Sequence, residues 1–339
     1  MNVYIDGHND LLMQLWLKHP DNPEVFFFGD SGEGHLDFSR IVRGRLGAAL
    51  FAIFVPPQSY VAQHFPGRLD ALQDKVQVMW QQLAILQRLE RYSDGKARIC
   101  RTSAEVEYCL QHGILAMIAH IEGADALDTQ GQLLQAFFQA GVRSVGPFWN
   151  TANAFGEGVT GRFPGSPDSG PGLTPHGIEL IRQLQSLNML TDVSHMNQQA
   201  FSDTARYSQQ PLVATHSSAH ALCPQPRNLT DQQLKMIADS GGIVGVNFGN
   251  AFIRPDGQRN AGTALSVITR HLMYLINVAG EEHVGFGSDF DGVCVPQALG
   301  DVAGLPLIEQ SLRNEGVKER VIARVCYQNW LRIFKHFPG

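Results

Sequence analysis

Eight short apolar runs punctuate the chain, and most of them end in glycine, asparagine or another polar residue. They are Val3–Gly7, Ala48–Val55, Ile114–Ile121, Val142–Phe148, Met189–Val193, Leu212–Thr215, Ile243–Phe248 and His283–Gly287. Runs of this length read as strands buried on both faces, as in a parallel sheet covered by helices. The intervening stretches carry helical spacing. Leu72, Val76, Met79, Leu83, Leu86 and Leu89 recur at three- and four-residue steps. Pro175–Leu187 and Thr263–Val278 show a similar pattern, and Thr230-Asp231-Gln232-Gln233 reads as a helix start with a capping box. Eight strand–helix units in 339 residues favour an α/β fold of the (β/α)8, or TIM-barrel, type over an open sheet.

No domain linker, internal repeat or low-complexity tail interrupts this pattern, so one domain over residues 1–339 is expected. Two segments exceed ordinary loop length, at about residues 18–45 after the first strand and 150–174 after the fourth. Both belong to the C-terminal rim, where barrels of this kind build their sites. The apolar share of 44% and charged share of 17% suit a buried core. A net charge of −6 argues against nucleic acid as partner, because neutralising phosphates needs a basic face. The five cysteines are scattered, odd in number and without a CxxC pair, which reads as reduced thiols. Strand-like sequence from Val3 leaves no room for a secretion signal, and no run reaches the roughly 18 apolar residues of a membrane span. A soluble, cytoplasmic protein without a membrane partner is the expectation.

The chemistry lies just past the strand ends. The first run delivers His8 and Asp10, two apart, so that in extended chain both project to one side. Gly7 is expected to let the backbone turn out of that strand. The third run delivers Glu122, the fifth His195, the sixth His216 and the eighth Asp289. Three imidazoles and three carboxylates on one rim suit two divalent ions, most simply two Zn2+, with manganese, cobalt or iron fitting similar donors. None of the six lysines ends a strand, so Glu122 is the natural bridging group. Such a pair of ions activates water and polarises a carbonyl or phosphoryl oxygen, with a strand-eight carboxylate moving the proton. The site reads as metal-assisted hydrolysis. His120, on the same strand as Glu122, is expected to be packed and hydrogen-bonded, and Asp291 to be structural in its turn.

The segments GHND, IEG, DVSH, ATHSSAHAL, PRNLTD and GSDFDG occur in this order. They resemble the renal (membrane) dipeptidase family of zinc metallopeptidases, peptidase family M19, over nearly the whole chain. The resemblance implies an amidohydrolase-like barrel that hydrolyses dipeptides, often with a D-residue at the C-terminal position, and that forms a homodimer. It implies that His8 and Asp10 bind one zinc, His195 and His216 the second, and that Glu122 bridges them. It also implies Arg227 as the contact to the substrate carboxylate or tetrahedral intermediate, and Asp289 as general acid/base.

One position departs from the family. Trp149 stands where a histidine after the fourth strand is expected to stabilise the developing oxyanion. An indole N–H donates one hydrogen bond and carries no charge. Arg162, in the long segment that follows, is the candidate replacement, and Trp149 is either a substrate wall or loop packing. Two other readings therefore accompany the dipeptidase. One is a hydrolase of a non-peptide amide, lactam or phosphoester on the same metals; the other is a metal-retaining binding protein without turnover. Gly29-Asp30-Ser31-Gly32 matches a serine-protease segment but lies in an α/β chain without the required scaffold. The sequon at Asn228 has no meaning without secretion.

Overall fold

The computed structural model describes residues 2–337. Eight strands carry the apolar runs: β1 (Tyr4–Asn9), β2 (Leu46–Phe54), β3 (Leu115–Glu122), β4 (Val142–Gly146), β5 (Leu190–Thr191), β6 (Val213–Ser217), β7 (Ile243–Val246) and β8 (Val284–Phe286). All neighbours pair in parallel, in the order β5-β4-β3-β2-β1-β8-β7-β6. The sheet curls until its ends meet. Asp192, just past β5, bridges Val213 of β6, and the Val193 N–H donates to the Val213 carbonyl at 2.8 Å. The (β/α)8 barrel expected from the sequence is thus the fold observed. A short further strand, Ala97–Ile99, pairs with the first half of β3.

Two apolar clusters hold this frame. The larger lies between strands and helices; the smaller gathers Ile5, Leu50, Ile118, Leu190, Val213 and Ile243 from six different strands. Trp330 and Phe334, from the final helix Asn329–Phe334, join that inner cluster, and the Trp330 indole N–H donates to the Phe286 carbonyl at 2.9 Å. Gly7 does not turn the chain. It stays within β1, and a Cβ there would run into the Thr215 carbonyl and the Trp330 ring. Its smallness serves a close approach inside the barrel.

The helices begin where the capping residues allow. Asp74 accepts the Gln77 N–H at 3.0 Å, so the helix expected from Leu72 starts at Lys75 and runs to Tyr92, after a 3-10 turn over Pro66–Leu72. Pro175–Ser186 and Ser266–Ala279 are helical, and Thr230 and Gln233 form the reciprocal capping box of Asp231–Asp239. The excursion at 18–45 is more ordered than a loop. It holds helices Pro23–Phe28 and Phe38–Gly44, the first with proline at its opening turn and the second capped by Asp37. The excursion at 150–174 contains a small hairpin, Ala152–Asn153 against Gly156–Glu157. It is tied to the rim by the Val159 N–H, which donates to the His195 carbonyl at 2.7 Å.

Candidate metal centre

The register of β1 against β2 shifts between Asp6 and Asn9, which re-aims the end of the first strand. Asn9 pins that end: its side-chain amide donates to the Leu50 carbonyl at 3.1 Å, and its oxygen accepts the Leu11 N–H at 3.3 Å. His8 and Asp10 therefore converge, with His8 Nε2 3.6 Å from Asp10 Oδ2. Along β3, alternation puts Ala116, Ile118, His120 and Glu122 on one face, and the first two belong to the inner cluster. Glu122, the last residue of that strand, reaches the middle of the rim. Its Oε2 lies 3.6 Å from His8 Nε2, while its Oε1 lies 2.9 Å from His195 Nε2 and 3.4 Å from His216 Nε2. The His8 and His216 rings stack with centroids 3.7 Å apart. Three overlapping sets of donors each close to within 4.8 Å: His8, Asp10 and Glu122; Glu122, His195 and His216; His8, His216 and Asp289.

Two of the three imidazoles, His195 and His216, are oriented by hydrogen bonds on Nδ1. His195 Nδ1–H donates to Asn150 Oδ1 at 2.8 Å. Asp192 accepts the backbone N–H groups of Ser194 and Thr215 on Oδ1, each at 2.9 Å, and the Thr215 hydroxyl on Oδ2 at 2.6 Å. That hydroxyl has spent its only proton, so at 2.8 Å it accepts from His216 Nδ1–H. Both rings consequently turn an unprotonated Nε2 toward Glu122. This is the arrangement a metal-ligating histidine needs. Backbone geometry contributes as well: His195, Asp289 and Asp291 adopt left-handed φ of 65°, 60° and 69°. Such a conformation costs a side-chain-bearing residue of order 1–3 kcal/mol and persists where the surroundings enforce it.

The electrostatics call for a cation. Burial, then the charges of Asp10 and Asp289, push the Glu122 carboxyl well above its ordinary range. Burial raises Asp10 to about 7, and burial with the Asp10 charge raises Asp289 to about 7. Burial likewise lowers His195 and His216 well below the usual imidazole value, helped by Arg227 and His8. Both ring nitrogens of His8 and Oδ1 of Asp10 are buried without a hydrogen-bond partner. Orphaned donors, mutually repelling carboxylates and deprotonated imidazoles are all satisfied at once by divalent ions among them. The residues present fit such a group.

The remaining expected residues fall into place unequally. Asp289 accepts the Asn247 amide at 2.7 Å, and a Cβ on nearby Gly292 would collide with the Asp10 and Asp289 carboxylates. Arg227 is buried beside the histidines: its Nη groups donate to Ser217 Oγ at 2.7 Å and to the His216 carbonyl at 2.6 Å, while Nε has no partner. Trp149 packs between Phe54 and His195, with ring centroids 5.5 and 6.2 Å away, and lines a cavity of about 460 Å³ that opens over Asp10, Glu122 and Asp289. Arg162 does not reach this cavity. It is exposed on the far part of its loop, so the geometry does not carry it as a replacement for the missing histidine, and the arginine on the lining is Arg259 instead. His120 donates or accepts at Ser144 Oγ (2.9 Å), but its Nε2 is unpartnered, 3.5 Å from Asp192. Asp291 does more than shape a turn: it lines the cavity and accepts the His35 N–H at 2.6 Å, fastening the 18–45 segment to the rim. Asn150, Asp192, Thr215, Asn247 and Arg259 went unassigned in the sequence, although Asp192 and Thr215 stand inside the DVSH and ATHS segments.

A parallel barrel with this rim defines a metal-dependent hydrolase. Residues 2–337 match the sequence model of the membrane dipeptidase family, peptidase family M19, and the chain belongs to that family. It is 59% identical over 263 residues to an uncharacterized protein from the pqqA 5′ region of Klebsiella pneumoniae, covering 78% of this chain and 97% of that one. It is 30% identical to an uncharacterized dipeptidase of Schizosaccharomyces pombe, covering 98% of this chain and 79% of the relative. The crystal structure of a metallopeptidase from Rhodobacter sphaeroides, liganded with a phosphinate mimic of the dipeptide L-Ala-D-Ala, superposes with a TM-score of 0.94 at 41% identity over the whole of both chains. The chain is thus a peptide-bond hydrolase of the metallodipeptidase type. Among the described residues, no helix is long and apolar enough to cross a membrane.

Proposed function

We propose that the chain is a dipeptidase built on two metal ions, with His8 and Asp10 holding one, His195 and His216 the other, and Glu122 shared between them. The observation that carries this reading is the split of the Glu122 carboxylate, with Oε2 turned to His8 and Oε1 to His195 and His216. The mixed nitrogen and oxygen donors suit zinc. When bound, such ions lower the pKa of water and polarise the scissile carbonyl. The protein's own groups do the rest. Asp289 has Oδ2 occupied by the Asn247 amide, so Oδ1 is the atom that takes a proton and returns it to the departing amine. Arg227, with an unpartnered Nε beside the histidines, holds the substrate α-carboxylate. Phe54 and Trp149 form an apolar wall that shields the reacting groups from water. A C-terminal D-residue is accepted; support comes from the L-Ala-D-Ala mimic bound to the Rhodobacter sphaeroides relative.

The test is a dipeptide panel covering both configurations at both positions, run on protein with quantified zinc or manganese. Dipeptide hydrolysis, two ions per chain, and loss of both activity and metal in a folded Glu122→Gln variant are expected. Full activity and full metal content in that variant would overturn the ligand assignment. Lactam or phosphoester turnover without any peptide turnover would replace the substrate class.

A further inference from the structure

The walls of the cavity are unequal. Met13, Phe54, Tyr60 and Trp149 line it with apolar surface, and Phe54 packs on Trp149. The floor carries Asp10, Glu122, Asp289 and Asp291. The lining also carries Phe252 and Arg259, the latter its single cationic side chain. The Arg259 guanidinium has no hydrogen bond or ion pair among the described residues, unlike Arg254 nearby, which is paired with Asp256. Its loop is nonetheless fixed. Gln258 N–H donates to Asp256 Oδ1 at 3.1 Å, Gly262 N–H to Asn260 Oδ1 at 2.9 Å, and Gln297 N–H to the Ala261 carbonyl at 2.7 Å. Gly257 lies flat against the Phe163 ring of the 150–174 excursion, where a Cβ would come within 2.6 Å. An unpaired, exposed cation on a pinned loop, on the lining of a cavity whose other charged side chains are all carboxylates, is a recognition element for an anion.

A dipeptide with an acidic side chain carries two carboxylates, and the two arginines differ in what they reach. Arg227 is buried and donates to the His216 carbonyl at 2.6 Å and to Ser217 Oγ at 2.7 Å, which places it beside the proposed metal ligands. Arg259 is exposed on the cavity lining and makes no contact with those ligands among the described residues. In a dipeptide the α-carboxylate lies only two bonds from the scissile nitrogen, so it falls to the nearer arginine. The outer one meets a group that extends away from the backbone. We infer that Arg259 is a specificity-determining residue that selects dipeptides bearing an acidic side chain, the other side chain resting on the Phe54 and Trp149 wall. This rests on the dipeptidase reading above.

The experiment compares matched pairs that differ only in charge, alanyl-glutamate with alanyl-glutamine and glutamyl-alanine with glutaminyl-alanine, in both configurations, using the zinc-loaded full chain. Alanyl-alanine serves as the neutral reference. The wild type is expected to prefer the acid over its amide in at least one pair by about tenfold or more in kcat/KM, expressed in KM, and to lose part of that preference at high ionic strength. Arg259→Gln collapses the acid-over-amide ratio toward one, and Arg259→Glu inverts it. A wild type that turns over alanyl-alanine but treats acid and amide alike overturns the assignment. So does an Arg259→Gln variant that loses the same factor on both members of every pair, which would make Arg259 the α-carboxylate site. No turnover of any dipeptide, the neutral reference included, defeats the dipeptidase reading itself and is thereby told apart from failure at Arg259.

Discussion

Replacing Asp192 by asparagine changes one atom's chemistry at the second remove from the proposed metal centre. The asparagine oxygen can keep the Ser194 and Thr215 N–H bonds that Asp192 Oδ1 now accepts at 2.9 Å, so the strand end stays in place. Its NH2 then faces the Thr215 hydroxyl where a carboxylate oxygen used to accept. That hydroxyl is freed to donate, and the nearest acceptor is His216 Nδ1 at 2.8 Å. The ring then carries its proton on Nε2, the atom that must be bare to bind a metal. Losing a partner that orients a ligand in this way costs roughly 10- to 100-fold in metal affinity, or about 1.4–2.8 kcal/mol. Competition against a chromophoric chelator, with metal per chain measured by atomic emission, reads this directly and independently of turnover. Thermal unfolding of the apo forms checks that the barrel is intact. Wild-type metal affinity in a folded Asp192→Asn variant would refute the proton inventory from Asp192 through Thr215 to His216.

Asp289→Asn, which keeps the Asn247 contact geometry but cannot carry a proton, is expected to lower kcat by about 10²- to 10⁴-fold while the metal content per chain stays that of the wild type; an unchanged kcat removes Asp289 from the proton step. His271 offers a test of the fold away from the rim. It is buried, accepts the Ala219 N–H at 3.1 Å and bonds the Ile253 carbonyl at 2.9 Å, and burial lowers its pKa from 6.5 to about 4. Between those values the unfolded chain takes up a proton that the folded chain refuses. The stability from this group is therefore complete above about pH 6.5 and falls as pH drops toward 4, by about 3 kcal/mol in all. His271→Gln should flatten the fall of the urea midpoint between pH 7 and pH 5, and a slope equal to that of the wild type would sink the assignment.

What was legible in the sequence follows from how local its causes are. Buried parallel strands announce themselves as short apolar runs, and each of the eight runs overlaps a barrel strand in the structure. Strand ends are equally local, so the side chains at or just past them, His8, Asp10, Glu122, His195, His216 and Asp289, can be gathered on one rim from the sequence, and the structure brings them together. What stayed hidden depends on contacts across the fold. Nothing in the spacing of Asp192 and Thr215, 23 residues apart, shows that they share a proton chain ending on His216. Left-handed backbone at His195 and Asp289 is invisible because neither residue type requires it. The place of Arg162 depends on contacts of the same kind. A glycine- and proline-rich excursion can be seen to exist, but the direction in which it leaves the rim is set by the Gly165 N–H donating to the Pro224 carbonyl at 2.9 Å and by Phe163 lying on Gly257. Those contacts carry Arg162 outward and tie the loop to the one that carries Arg259. Besides lending Asn150 to the lining, the segment thus supports another loop's arginine, a role that only the packing of two distant excursions can reveal.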